Sequence, residues 1–150
     1  MFQGLIKVNL DAKGRMAMPM RYRKPLTEES DGKVVVTIDP TSKCLCLYPS
    51  EAWEKTKKQV ESLPNKPDIK RFKRLFLGYA FDFELDGSGR MLLPQELRDY
   101  AGLDKQLYLA GMGSKAEIWS EENWKAEHDA WDDIVESGVE MSPELLNVSF

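Results

Sequence analysis

The chain has 150 residues, 42% of them hydrophobic and 31% charged, a balance that fits one compact domain or two small halves sharing a core. No apolar run approaches the roughly 20 residues of a membrane helix. The first residues lack the basic region and apolar core of a signal peptide, so a cytoplasmic protein without a membrane partner is expected. The net charge of −4 speaks against a nucleic-acid partner only until its distribution is considered. Lys7, Lys13, Arg15, Arg21, Arg23 and Lys24 face Asp11 alone near the N-terminus, Lys55 to Arg74 is a second basic run, and acidic residues gather after Glu121. Such segregation permits a positive face on an acidic protein.

In chain order, residues 5–10 alternate as a half-buried strand, with Ile6, Val8 and Leu10 on one face. Asp11 to Gly14 reads as a tight turn, Arg15 to Met18 as a second strand, and Pro19 as the first position of a short helix, Met20 to Lys24. Pro25 is expected to stop that helix, followed by a polar loop from Thr27 to Gly32. Val34 to Ile38 and Cys44 to Tyr48 predict a hairpin around Asp39–Lys43. Ser50 reads as the N-cap of a helix reaching about Ser62. After the Pro64–Pro67 break, residues 68–77 predict a linker helix with Ile69, Phe72 and Phe76 on one stripe and Gly78 as its cap.

The order then repeats. Tyr79 to Leu85 alternates as a strand, Asp86 to Gly89 turns, Arg90 to Leu93 returns, and Pro94 opens a helix from Gln95 to Ala101, capped at Gly102. Gln106 to Gly111 matches Val35 to Pro40, Ala116 to Trp119 matches Leu45 to Tyr48, and Ser120 to Trp124 matches Pro49 to Trp53, with the second aromatic of each copy starting a helix. The tail from Gly138 to Phe150 is expected to fray. Leu10 to Pro19 and Leu85 to Pro94 both read L-D-x-x-G-R-M-x-x-P. A self-match this tight marks an internal duplication. The division expected is 5–51 and 80–123 as two halves, 52–79 as a helical linker, and 124–150 as an acidic helix and tail. Neither half has enough core alone, so an α+β, mainly β, pseudo-twofold barrel is expected from the two packed together.

The repeated chemistry is an Asp-x-x-x-Arg hairpin. A cross-turn role as hairpin cap suits Asp11 and Asp86, because a carboxylate facing a phosphate is repelled. Arg15 and Arg90 suit recognition instead, since the planar guanidinium fork matches phosphate oxygens or a guanine edge. Gly14 and Gly89 allow close backbone approach, Lys13 adds charge to the first hairpin, and Ser88 could donate to phosphate in the second. Lys7, Arg21, Arg23 and the basic residues at 70–74 are weaker candidates, because a charged face is usually only solvated. Trp53, Trp119 and Trp124 suit a core or subunit contact better than base stacking.

Cys44 and Cys46 alternate on one strand face, a spacing that suits neither a disulfide nor a C-x-x-C site. His128 is the only histidine. No metal site, cofactor or small-molecule substrate is therefore expected, and with no phosphate loop or zincin motif, no enzyme.

Met1-Phe-x-Gly4, Val8-Asn-Leu-Asp11, Lys13-Gly-Arg15, Pro19-x-Arg-Tyr-Arg23, Leu47-Tyr-Pro49, Trp53, Leu75-x-Leu-Gly78 and Leu85-Asp-x-x-Gly-Arg90 together resemble the MraZ family of bacterial transcription regulators, each half resembling an AbrB-type swapped-hairpin half-barrel. The resemblance implies a nucleoid-associated regulator of the cluster encoding cell-division and cell-wall enzymes. It also implies binding to double-stranded DNA at short direct repeats, autoregulation, and assembly into ring-like homo-oligomers. Pro25, and Tyr79 where the family usually has histidine, depart from the pattern. An interaction scaffold and an antitoxin-like partner, both using the acidic tail, are the competing readings.

Overall fold

The structure, a computed structural model, describes residues 2–138 and 141–150. Its elements in chain order are β1 (Leu5–Asn9), β2 (Arg15–Ala17), α1 (Met20–Ser30), β3 (Lys33–Ile38), β4 (Leu45–Pro49), α2 (Ser50–Glu61) and α3 (Pro67–Phe76). There follow β5 (Phe81–Glu84), β6 (Arg90–Leu92), α4 (Gln95–Ala101), β7 (Gln106–Gly111), β8 (Ala116–Ser120), α5 (Glu121–Ser137) and α6 (Pro143–Leu146). The fold mixes helices with mainly antiparallel strands, and the strand–turn–strand–helix–strand–strand–helix order occurs twice.

The six-stranded sheet runs β1-β7-β8-β4-β3-β5, and β2 and β6 form a separate ribbon. The first strand of each repeat pairs with the other repeat, β1 with β7 and β5 with β3, so neither half completes its sheet alone. The expected barrel is corrected in one respect: the sheet stays open, with β1 and β5 as its edges. The second strands leave it to pair with each other across the repeats.

Period-two alternation sets the layers. Val34, Val36, Ile38, Leu45, Leu47, Leu107, Leu109 and Ile118 enter the main core with Tyr22 and Leu26 of α1 and Leu97 and Ala101 of α4. The alternate residues Val35, Cys46 and Tyr48 face the other way and are covered by Trp53 and Val60 of α2 and Phe76 of α3. Thr37, on that same outer face, is fully buried and donates its hydroxyl hydrogen to the Phe76 carbonyl at 2.6 Å. Trp53 and Trp119 are buried, and Trp124 packs edge-on to Trp119 (6.0 Å between ring centres) and tilted against Tyr108 (6.1 Å), in a separate small cluster with Cys44 and Ala110.

Local signals fail where packing outweighs them. Pro25 does not stop α1, which runs through it to Ser30. Tyr22, Leu26 and Ser30 lie on one buried stripe, and burying two large side chains at about 1.5–3 kcal/mol each offsets the one backbone bond that proline removes. Thr27 to Ser30 are therefore helix rather than loop. Pro19 and Ser50 each shift by one place: Pro19 and Pro49 occupy the N-cap positions, and Ser50 is already helical. Gly78 is not a left-handed cap: α3 ends at Phe76 with Leu77 as a right-handed C-cap, and Gly78 does not take positive φ. An added Cβ at Gly78 would come within 2.1 Å of the Arg74 carbonyl oxygen, so its lack of a side chain serves close approach. In the tail expected to fray, Val139 and Glu140 lie outside the described residues. Beyond them Pro143 opens the single turn α6, with Leu145 and Leu146 bonded back to Ser142.

Candidate nucleic-acid interface

Each hairpin is built from its aspartate. Asp11 Oδ1 accepts from the backbone N–H groups of Lys13 (3.0 Å) and Arg15 (2.8 Å), while its Oδ2 accepts from Arg15 Nε at 2.9 Å. Asp86 Oδ1 accepts from Ser88 N (2.9 Å), Ser88 Oγ (2.8 Å) and Arg90 N (3.3 Å). Both carboxyls lie below the usual range. The backbone bond from Arg15 leads for Asp11, and the Ser88 hydroxyl leads for Asp86.

The two hairpins interlock. Met18 N donates to Gly89 O at 2.7 Å and Leu93 N to Gly14 O at 2.9 Å, a reciprocal exchange between repeats. Gly14 and Gly89 have φ +87° and +67°, and a Cβ on either would strike an arginine from the opposite repeat: Arg98 at 2.6 Å from Gly14, Arg23 at 2.4 Å from Gly89. These arginines are anchored on carbonyls. Arg23 donates to Met18 O at 2.9 Å and Gly87 O at 3.3 Å, and Arg98 to Leu93 O at 2.9 Å. Arg23, read as a solvated helix residue, is instead a clamp, because its fork fits the backbone of the facing turn. Arg98 was missed altogether, although the 75-residue repeat offset places it at the position of Arg23.

In the ribbon, Arg15 pairs with Leu92, Met16 with Met91 and Ala17 with Arg90. Met16 and Met91 are buried in the core, so the alternate residues Arg15, Ala17, Arg90 and Leu92 share the exposed face. Arg15 and Arg90 are diagonal neighbours on it, a relation that spaces Cβ atoms about 7–8 Å apart. A two-stranded ribbon fits a major groove about 12 Å wide. Asp11 takes the Nε of Arg15, and no bond within the protein engages its two terminal amino groups among the described residues. Arg90 forms no side-chain bond among the described residues.

The remaining candidates are committed differently. Lys7 on β1 pairs with Glu121 at 3.2 Å, an interaction that raises its pKa. Arg21 lies over Gly4, where an added Cβ would come within 2.8 Å of its Nη1. The Ser88 hydroxyl has one hydrogen and gives it to Asp86, so the phosphate donor expected of it is already engaged. Lys13 is exposed beside Arg15 at the turn.

A family model described as "MraZ protein, putative antitoxin-like" matches residues 1–75 and again 76–137. The chain belongs to the MraZ family. Among curated proteins, it is 45% identical to the transcriptional regulator MraZ of Thioalkalivibrio sulfidiphilus over 150 residues, 99% of each chain. It is 49% identical to that of Alkalilimnicola ehrlichii over 141 residues, 93% of this chain and 94% of the other. Coxiella burnetii supplies a relative 42% identical over 99% of both. These MraZ relatives bear a regulator's name and not an enzyme's. No helix among the described residues is long and apolar enough to cross a membrane.

Proposed function

We propose that this MraZ-family chain is a sequence-specific DNA-binding transcriptional regulator. In this reading it autoregulates a bacterial cell-division and cell-wall gene cluster by binding short direct repeats upstream. The observation that carries the reading is the β2–β6 ribbon, which presents Arg15 and Arg90 from opposite repeats on one exposed face. The guanidinium forks address guanine edges or phosphates, Lys13 adds a phosphate contact, and the Arg23–Arg98 clamps keep the turns rigid enough for a defined register. Asp11 holds Arg15 by Nε and leaves its two terminal amino groups without a bond among the described residues, so that they can pair bidentately with a ligand.

One ribbon makes few contacts. Assembly into a ring-like homo-oligomer would present several ribbons to repeated sites, so that effective concentration supplies the affinity. Gel-shift titration on the DNA upstream of the chain's own gene tests the reading. Arg15→Ala and Arg90→Ala are each expected to weaken binding by about 1–3 kcal/mol, roughly 5- to 150-fold. Lys13→Ala is expected to lower the salt slope by about one without changing sequence preference. Unchanged affinity in both arginine variants would remove the ribbon from the interface.

A further inference from the structure

On the outer face of the sheet, the fold gathers a cluster of side chains that the hairpins do not use. Cys44 precedes β4 and Cys46 lies on it, both on that face, and Cys46 stands directly opposite Glu117 in the β4–β8 register. Asp39 follows β3 at the same end. One donor atom each from Asp39, Cys44 and Glu117 lies within 4.8 Å of the others, and Cys46 Sγ is 3.4 Å from Asp39 Oδ2. In a tetrahedral zinc site, sulfur at about 2.3 Å and oxygen at about 2.0 Å from the metal are separated by about 3.5 Å. The Cys46–Asp39 pair already stands at that spacing; the Asp39, Cys44 and Glu117 donors, up to 4.8 Å apart, must draw together around an ion, and Cys46 must join them from beside Asp39.

The carboxylates are also held as ligands are held. Asp39 Oδ1 accepts from Thr41 N and Oγ1 at 2.8 Å and from Ser42 N at 3.0 Å, leaving Oδ2 facing only the Cys46 sulfur among the described residues. Glu117 Oε1 is oriented by Trp119 Nε1 at 3.1 Å. Outer hydrogen bonds of this kind fix ligand direction in metal sites. Both thiols are fully buried and Asp39 is 5% exposed; Cys46 and Glu117 stand on β4 and β8, and Asp39 and Cys44 at the two ends of the β3–β4 loop. Lys115 Nζ, 3.7 Å from Cys46 Sγ, places a positive charge beside two thiols and two carboxylates, where it would offset part of the charge that ligation leaves on them. Counting only histidines and cysteines in the sequence discounts zinc; the fold adds two carboxylates.

We propose that Asp39, Cys44, Cys46 and Glu117 form a binding site for a soft divalent cation of the zinc class, joining the first repeat to the second through Glu117. Two sulfur donors select such an ion over calcium or magnesium. Binding makes metal–sulfur and metal–oxygen bonds, breaks the contact of the Cys46 thiol with Asp39, and releases both thiol protons to solvent without redox change. The exposed group His128, Asp129 and Asp132 on α5 is the competing location for any ion taken up.

The test is titration of the metal-free full chain with Co²⁺ and then Zn²⁺. One Co²⁺ per chain is expected, with a thiolate-to-cobalt band in the near ultraviolet that Zn²⁺ removes, and with a rise in Tm. Cys44→Ser, Cys46→Ser and Glu117→Gln are each expected to weaken binding about tenfold or more, while His128→Ala leaves it unchanged. Glu117→Gln keeps an acceptor for Trp119 at a half-buried position, so it serves as the variant least disturbing to folding, checked by far-ultraviolet circular dichroism. Absence of the thiolate band overturns the proposal. So does binding that survives both serine variants and is lost in His128→Ala.

Discussion

Arg15 and Arg90 hold equivalent places in the repeat yet differ in their electrostatic surroundings. Arg15 shares an exposed ion pair with Asp11, of a kind that adds little to stability, whereas Asp86 commits Oδ1 to Ser88 and to the backbone N–H of Arg90 and makes no side-chain bond to Arg90 among the described residues. Arg15 is thereby oriented in advance, and Arg90 must order on binding. The aspartates make the hairpin turns sensitive to acid. Their folded pKa values are depressed, by backbone bonding from Arg15 and by the Ser88 hydroxyl respectively. Each therefore contributes stability above the ordinary carboxylate range that is lost as pH falls through the lowered values. Carboxyl-detected NMR titration is expected to place both midpoints below the usual aspartate range. Replacing Ser88 with Ala is expected to move Asp86 upward and leave Asp11 unmoved. Equal midpoints in the variant and the parent would show that the hydroxyl does not hold the charge.

At the level of elements, the interlocked turns depend on two glycines more than on any ion pair. Gly89 combines φ +67° with a Cβ position 2.4 Å from Arg23 Nε. Alanine there must bear left-handed strain and displace the clamp, at a cost of about 1–3 kcal/mol. That corresponds to a Tm fall of roughly 2–12 °C for a chain of this size. Two residues earlier Gly87 has nothing within 4 Å of an added Cβ, so Gly87→Ala is expected to stay within about 0.5 kcal/mol of the parent. Thermal unfolding of the pair checks this, and equal Tm values would mean that the clamp carries no strain. The duplicated motif made the turns, their glycines and the succession of elements along the chain legible, because turn chemistry and period-two alternation are local, whereas the strands on either side of each turn pair with other strands and not with each other. The clamp was not legible, since an arginine on an amphipathic helix looks the same whether it meets water or another turn's backbone. The run of α1 through Pro25 was hidden for the same reason: its cause is the burial of Tyr22 and Leu26, a tertiary effect. The open sheet follows from β2 pairing with β6, a choice between partners that strand patterns do not make.

Across the whole molecule, the least explained feature is α5. Its first turn is capped by Ser120, which accepts from Asn123 N at 3.0 Å, and Trp124 packs on the sheet layer. From Lys125 to Gly138 every residue is exposed. A helix of this length with no packed face gains little from intrinsic propensity. Yet Trp131, Ile134 and Val135 form an apolar stripe at spacing i, i+3 and i+4, exposed by 48%, 37% and 54%. The rest of α5 is acidic, while α3 exposes Lys70, Arg71 and Arg74 together with Leu75, and Leu63 is exposed just before it. Within one protomer these surfaces have unlike charge and matching apolar centres, so the assembly proposed for DNA binding is expected to use them between protomers. Trp131→Glu places a charge in the middle of the stripe, leaves the core untouched, and is expected to lower the mass seen by sedimentation velocity. It is then expected to weaken binding to DNA carrying several repeats by about 10²-fold or more, while a single repeat is bound as before. A variant that keeps the parent mass would move the assembly surface away from α5; one that falls to monomers yet binds repeated sites at parent affinity would separate assembly from DNA recognition.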